Sequence, residues 1–344
     1  MISTRDIIPE PLVSVCIANY NGMEVIDDCI ASVLKQNCDF PVEIIVHDDA
    51  STDDSVQHIR AAYPQVILIE SADNAGFCIA NNRMVERASG EFVLLLNNDA
   101  ALFPDALATL YNAAQDIRQP AILGLPQYDA ANSKLIDIGC LLDPFLNPIP
   151  NDQPCQAEVG VVIGACLWIQ KELWQELGGF PEWFGSIGED LYLCCRARLA
   201  GYSVRAMGIS GYRHRVGTSF GGGKVHGKRL ATTFRRRALS ERNKTFVMVI
   251  CYPSILLVWL LPLHLALIHL EGLLLTLVKG DSAVWKKIYA PLLPSLWRQR
   301  QRLLSLRLSS QSQRKITLRS WLSPFCWIPW KLKMLIRHGM PKLT

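Results

Sequence analysis

The chain alternates between short apolar runs and longer stretches with helical spacing. Residues 13–18 (VSVCIA), 42–46 (VEIIV), 66–70 and 92–96 (FVLLL) have the length of strands, and the first and last are apolar enough to be buried on both faces. Between them Val25, Ile26, Cys29, Ile30, Val33 and Leu34 recur at the spacing of one helix face. A second helix runs to about Ala62, with Ser51 or Thr52 placed to cap it, and a third covers 79–88. Further on, 105–117 reads as helix, 121–126 as strand, and 127–158, with Pro144, Pro148, Pro150 and Pro154, as a turn-rich loop or hairpin. Strand character resumes over 159–169, then comes a short helix over 171–177 and a Gly178-Gly179 break. The last helix of the series opens near Glu189 and Asp190 and stops at Gly201. Its Leu191, Cys194, Cys195 and Leu199 are expected inward, and Arg196 and Arg198 outward. Such alternation predicts an α/β, Rossmann-like fold with a mostly parallel sheet and strand ends gathered on one edge. That edge collects residues 19–21, 48–53, 74–77 and 97–99.

The run 92–96 ends abruptly in Asn97, Asn98 and Asp99. A carboxylate at the carboxyl end of a central strand sits where open α/β sheets bind ligands. Its oxygen suits Mg²⁺ or Mn²⁺, whose shell a substrate's phosphates would complete; the same residue types also end strands in ordinary turns. The first turn, NYNGME, lacks GxGxxG, and no P-loop pattern occurs, which sets aside dinucleotide chemistry and P-loop nucleotide hydrolysis.

At 344 residues there is room for one α/β domain of ~200–250 residues and an appendage. The eleven cysteines show no CxxC pair, and Cys16, Cys29, Cys78, Cys166, Cys194 and Cys195 lie inside apolar patterns, as small buried hydrophobes do in a reducing compartment. The polar, proline-containing stretch 1–11 predicts no signal peptide and a catalytic region facing the cytoplasm. Charge divides the chain. Residues 1–212 carry 11 Lys and Arg against 28 Asp and Glu, whereas 213–344 carry 24 against 3, a net of +21. An acidic body with a basic, apolar, Trp-bearing tail points to an anionic membrane surface. Nucleic acid would suit the charge but not the uncharged run 246–270. Pro253 and Pro262 interrupt the apolar run 246–278, and Lys or Arg flank both its ends. One crossing would leave a basic flank outside, so the reading is a broken hairpin or interfacial helices. Trp285, Trp297, Trp321, Trp327 and Trp330 are placed for headgroup depth; a buried helical subdomain or a homo-oligomer interface is the alternative. The division expected is 1–235 (halves 12–126 and 127–235) and a membrane-associated region 236–344.

In order, the chain carries VSVCIANYNG, EIIVHDDASTDDS, NAGFCIANN, GEFVLLLNNDA, GACLWI…LGGFPEWF, GEDLYLCCRARLAGY and HRVGTSFG. Through these motifs residues 12–220 resemble the inverting family 2 glycosyltransferases with the glycosyltransferase A-type fold. The nearest likeness is to rhamnosyltransferase-like bacterial members that build O-antigen and other surface polysaccharides. The resemblance implies a nucleotide-sugar donor held by Asn19, Asn21 and Asp48, the last accepting from the base's imino N–H, and by Asn74, Gly76, Phe77 and Asn98. It makes Asp99 the last aspartate of a DxD-like motif whose other acidic positions are Asn97 and Asn98 here. Mg²⁺ or Mn²⁺ would then rest on Asp99 and the diphosphate, with His214 helping and Arg213 and Arg215 beside the leaving group. Asp190 is implied as general base, with Glu189 as a neighbour whose repulsion raises one pKa; a further acid common in the family is Tyr192 here. The run Gly221-Gly222-Gly223-Lys224 is an anion-binding nest or a lid over the donor. The implied activity is transfer from dTDP-rhamnose or a UDP-hexose to a lipid-linked glycan on the cytoplasmic face of the inner membrane. A polyprenyl-phosphate sugar transferase and a non-catalytic membrane adaptor are the alternatives.

Overall fold

The computed structural model describes residues 10–215, 222–226, 229–340 and 342–343. Most of the stretch 1–11, residues 216–220 of the HRVGTSFG motif and Gly221 of the glycine-rich run lie outside the described residues.

The elements begin with β1 (Val13–Asn19), α1 (Ile26–Leu34), β2 (Val42–Asp48), α2 (Ser55–Ala62), β3 (Ile67–Glu70), α3 (Phe77–Arg87) and β4 (Phe92–Asn97). They continue with β5 (Ala100–Leu102), α4 (Ala106–Asp116), β6 (Ala121–Gly124), β7 (Gln127–Asp129), β8 (Leu135–Asp137), β9 (Cys140–Leu142) and β10 (Pro148–Pro150). Next are β11 (Cys166–Gln170), α5 (Lys171–Leu177), α6 (Glu189–Leu199), β12 (Ser203–Ala206), β13 (Tyr212–His214), β14 (Gly222–His226) and β15 (Arg229–Thr232). The remainder is helical except at its end: α7 (Phe234–Cys251), α8 (Ser254–Lys279), α9 (Ser282–Val284), α10 (Leu292–Arg298), α11 (Arg300–Ser312), α12 (Leu318–Trp321), α13 (Trp330–His338) and β16 (Lys342–Leu343).

The main sheet runs β12-β6-β11-β4-β1-β2-β3. It is mostly parallel, as expected, with β11 inserted antiparallel between β4 and β6. Strand periodicity divides its residues between two apolar layers. Phe92, Leu94 and Leu96 of β4 join α1 and α4 on one face, while Val93 and Leu95 join α3, α5 and α6 on the other. A smaller sheet, β5-β13-β7-β8, lies beyond the carboxyl end of β4 and brings His214 opposite Ala100.

Several local expectations are corrected. Neither Ser51 nor Thr52 caps α2, which starts at Ser55 after Asp54; both residues instead bind across the loop to Asp48 and Asn21. Of the run 159–169, only the end forms a strand. Gly160 lies so close to Leu142 that a Cβ would fall 2.6 Å from its Cγ, and the Val159 and Gly160 amides bind different partners, Val204 and Cys140. Arg196 and Arg198 are buried, at 5% and 6% exposure, rather than outward. The C-terminal helices cover α6 there: Arg196 donates to Gln313 Oε1 (2.6 Å), and Arg198 to the carbonyls of Ser320 (2.9 Å) and Trp321 (3.2 Å). The sequence pattern of α6 could not show which later segment would supply those acceptors.

The tail departs from its expected form as well. Phe246, Val247, Ile250 and Cys251 of α7 are buried in the core around α6. Pro253 does separate α7 from α8, but Pro262 sits inside one continuous helix of 26 residues. That proline is exposed, and it removes only one backbone donor. Among the described residues, α8 is the helix long and apolar enough to cross a membrane. Trp321 is fully buried against Tyr252 and Phe325, not at headgroup depth, whereas Trp297 and Trp327 are exposed.

Candidate active site

The carboxyl ends of β1, β2 and β4 meet as the alternation required. Asn19, at the end of β1, donates through Nδ2 to Asp48 Oδ1 (2.9 Å) and Ser55 Oγ (3.0 Å), and its Oδ1 accepts from Asn98 Nδ2 (3.0 Å). A Cβ on Gly22 would lie 2.1 Å from Asn19 Oδ1 and 2.4 Å from Asn98 Nδ2, so the NYNG turn needs its glycine. The Asp48 carboxylate is buried and also accepts from Ser51 Oγ (2.6 Å) and the Ser51 amide (2.9 Å), which turns it toward its own loop. Asn21, with φ of 50°, accepts from the Thr52 amide (2.7 Å) and stitches the first loop to the second.

The third loop is held by a residue that sequence reasoning passed over. Asp49 accepts from the amides of Ala75 (2.7 Å) and Gly76 (2.8 Å), and Gly76 takes φ of +92°, a conformation open to glycine. Asn74 is exposed beside it, while Phe77 turns away and stacks on Phe180 with ring centres 6.2 Å apart. Two adjacent aspartates, 48 and 49, were visible; which one reached the next loop was not.

Asp99 and His214 come together across β5 and β13. Asp99 Oδ1 lies 3.0 Å from His214 Nε2, both side chains are largely buried, and Asn97 Nδ2 lies 3.4 Å from the same nitrogen. Neighbouring corners of an octahedral shell with bonds of ~2.1 Å are about 3.0 Å apart, so this oxygen and nitrogen fit adjacent positions on one divalent cation. Among the described residues no third His, Cys, Asp or Glu completes a cluster, which leaves the other positions to substrate oxygens and water. Arg213 and His214 take opposite faces of β13, because side chains alternate along a strand. Arg213 is exposed and lies over the Phe103 ring at 5.7 Å, and Arg215 pairs with Asp28 Oδ2 at 2.7 Å. Both arginines line a groove of about 850 Å³ between α1, β5 and the β7–β8 hairpin, which Asp99 lines as well.

Asp190 stands at the start of α6, joined to the same edge by two short links. The Asn97 amide donates to Ala165 O (3.0 Å), and the next residue back, Gly164, donates to Asp190 Oδ2 (3.1 Å). Asp190 Oδ1 accepts from the Leu191 amide (2.7 Å). Gly188, with φ of +87°, aims the chain into the helix, and Cys78 of α3 donates to Gly185 O (3.2 Å). Burial raises the pKa of both Glu189 and Asp190; the Asp190 charge adds to the shift of Glu189. Backbone N–H groups of Gly164 and Leu191 oppose the shift in Asp190, and the positive charge of Arg236 opposes it in both. Repulsion between the acids is thus the second cause, not the first. Arg236 and Asn243, both on α7, were missed as site residues. Asn243 Nδ2 donates to the carbonyls of Phe184 (3.2 Å), Ser186 (3.0 Å) and Ile187 (2.7 Å), fixing the loop that delivers the two acids.

The mostly parallel α/β sheet is that of a glycosyltransferase A-type fold, as its likeness to solved transferases shows. Residues 14–178 match the family described as glycosyl transferase family 2. The chain spans between 30% and 36% of the length of the first curated relatives it matches. It is 36% identical over 104 residues to the uncharacterized glycosyltransferase YibD of Escherichia coli (strain K12), covering 29% of this chain and 30% of that protein. It is 28% identical over 192 residues to an N-acetylglucosaminyl-diphospho-decaprenol L-rhamnosyltransferase of Mycobacterium tuberculosis, covering 47% of this chain and 62% of that one. The fold resembles S. aureus TarS 1-349 (TM-score 0.54, 16% identity, 88% of each chain). It also resembles the mannosyltransferase PcManGT of Pyrobaculum calidifontis, solved with GDP-Man and Mn²⁺ (TM-score 0.50, 19% identity, 89% of this chain and 87% of that one).

Proposed function

We propose that this chain is an inverting glycosyltransferase that moves a sugar from a nucleoside-diphosphate donor to a lipid-linked glycan in bacterial surface polysaccharide synthesis. The observation that carries the reading is the short path from Asp99 and His214 through Asn97, Ala165 and Gly164 to Asp190. Asp99 and His214 would hold Mg²⁺ or Mn²⁺, which supplies positive charge to the leaving diphosphate. Asp190 accepts the proton of the acceptor hydroxyl. As that proton leaves, the hydroxyl oxygen bonds to the anomeric carbon, the bond from that carbon to the diphosphate oxygen breaks, and the nucleoside diphosphate departs. The raised pKa of Asp190 makes it a better base than an exposed aspartate. Asn19, Asn21, Asp48 and Asn98 shape the donor's loop edge, and Asp49 fixes the Asn74–Gly76 turn against it.

Likeness to an L-rhamnosyltransferase acting on a decaprenyl-diphosphate-linked sugar favours a polyprenyl-diphosphate-linked sugar as acceptor and a rhamnosyl donor. We take dTDP-rhamnose as the donor, a UDP-hexose next, and the cytoplasmic face of a membrane as the meeting place. The test offers a panel of nucleotide sugars with and without Mn²⁺, together with polyprenyl-diphosphate-linked sugar or polyprenyl phosphate. Metal-dependent release of nucleoside diphosphate, with a glycosylated lipid-linked sugar and an inverted anomeric centre, is expected. Transfer onto polyprenyl phosphate instead would overturn the acceptor, and no release from any donor would overturn the enzyme.

A further inference from the structure

The outward stripe of α8 is apolar from end to end. Trp259 and Leu277 are 76% exposed, Ile255 65%, Leu270 51%, Leu274 50% and Leu263 48%, at the three-and-four spacing of one helix face. Before Lys279 the ionisable side chains of this helix are His264, His269 and Glu271. His264 is buried on Thr245 of α7 (2.8 Å), and Glu271 pairs with Lys331 of α13 (2.7 Å) and with Arg237 of α7. Charge inside and leucine outside is the reverse of a water-facing helix.

The opposite face of α8 is committed to the protein along its length. Ile268 and Leu275 pack with Val284, Ile288, Tyr289 and Leu292, and a Cβ on Gly272 would lie 2.5 Å from Tyr289 Cγ. A helix crossing a bilayer alone would have to give up these partners, so α8 is held flat. Helix α13 extends the face: Lys331 anchors it to α8, while Leu332, Leu335 and Ile336 are exposed among Lys333 and Arg337. The stripe is about 33 Å long at ~1.5 Å per residue. Lys279, Lys286 and Lys287 follow its end, within a region of net charge +21. A second copy would bring like charge against like charge, whereas anionic headgroups complement it.

We propose that α8 and α13 form a docking face that lies in the plane of an anionic phospholipid bilayer, its leucines reaching ~5–10 Å into the headgroup boundary, without crossing. This deepens the lipid-linked-acceptor reading and rests on it for its purpose. Vesicle binding is measured without donor or acceptor, so either idea can fail alone.

The test is flotation of the whole chain with vesicles of phosphatidylcholine, with and without phosphatidylglycerol. Binding to the anionic vesicles is expected, with about tenfold or greater loss in the double variant L267E/L274E. Both positions are exposed, so an unchanged melting curve separates lost docking from lost folding. In inverted membrane vesicles from expressing cells, an impermeant maleimide should label S254C and K279C equally, beyond the labelling of the parent chain. Labelling of one end only would show a crossing and overturn the proposal. So would equal binding to neutral vesicles, the absence of binding, or a dimer in sedimentation that hides the stripe.

Discussion

The sheet edge and the flank of α8 solve opposite problems with the same residue types. At the edge, the side chains of Asn19, Asp48 and Asn98 bind one another, Asp49 holds the next loop, and Asp99 pairs with His214. Beside α8, Glu241 and Glu271 gather Arg237, Lys244 and Lys331 into a network buried at Glu241 and Lys244 and half-buried elsewhere, and apolar side chains take the outside. Polarity inside a fold therefore identifies a reaction centre only where it faces space that a substrate can enter. Where it is closed off, as beside α8, it marks the side of a helix that packs against the protein.

The largest effect that would sharpen this contrast is expected from Asp190→Asn, with transfer falling by roughly 10²–10⁴-fold while donor binding, read by thermal shift, persists. Loss of donor binding as well would assign Asp190 to the edge's framework instead. Next is Glu241→Gln, which leaves Arg237, Lys244 and Lys331 with the single carboxylate of Glu271. Burial opposes ionisation of Glu241, but Lys244, Lys331 and Arg237 outweigh it and hold its pKa well below the usual range. Losing that charge should destabilise the chain by about 3–5 kcal/mol in denaturant titration with little change in the transfer rate of the folded fraction. A normal stability would mean that the network is not closed off.

The smallest effect concerns pH. Glu189 is raised from 4.5 to about 8, so across that window the folded chain keeps a proton that the unfolded chain has lost. Stability then falls as pH rises through the window and levels off above it. Glu189→Gln removes this slope, so its melting temperature should gain on the parent by a few degrees between acid and mildly alkaline pH. A constant difference would place Glu189 in water.

The strands were readable because burial on both faces leaves near-continuous apolar runs, and β1, β2 and β4 carry them. The loops at their ends were readable as a group, since each run gives way within two residues to Asn or Asp. What could not be read was pairing at a distance. Nothing local distinguishes Asp48 from Asp49, and Arg196 and Arg198 look solvent-facing until Gln313, Ser320 and Trp321 arrive more than a hundred residues later. The groove lined by Arg213 and Arg215 was hidden for another reason. A basic pair around a histidine looks like one cluster in sequence, and strand geometry splits it across two faces.

Asn243 has a practical bearing on how the protein can be shortened. Its amide clamps three carbonyls of the loop ahead of Glu189, from a helix whose other end leads toward α8. Trimming the chain at 235 to obtain a water-soluble enzyme would strip that clamp and bare the apolar floor beneath Phe184. A soluble version has to retain α7 through Cys251 and blunt the leucines of α8 instead.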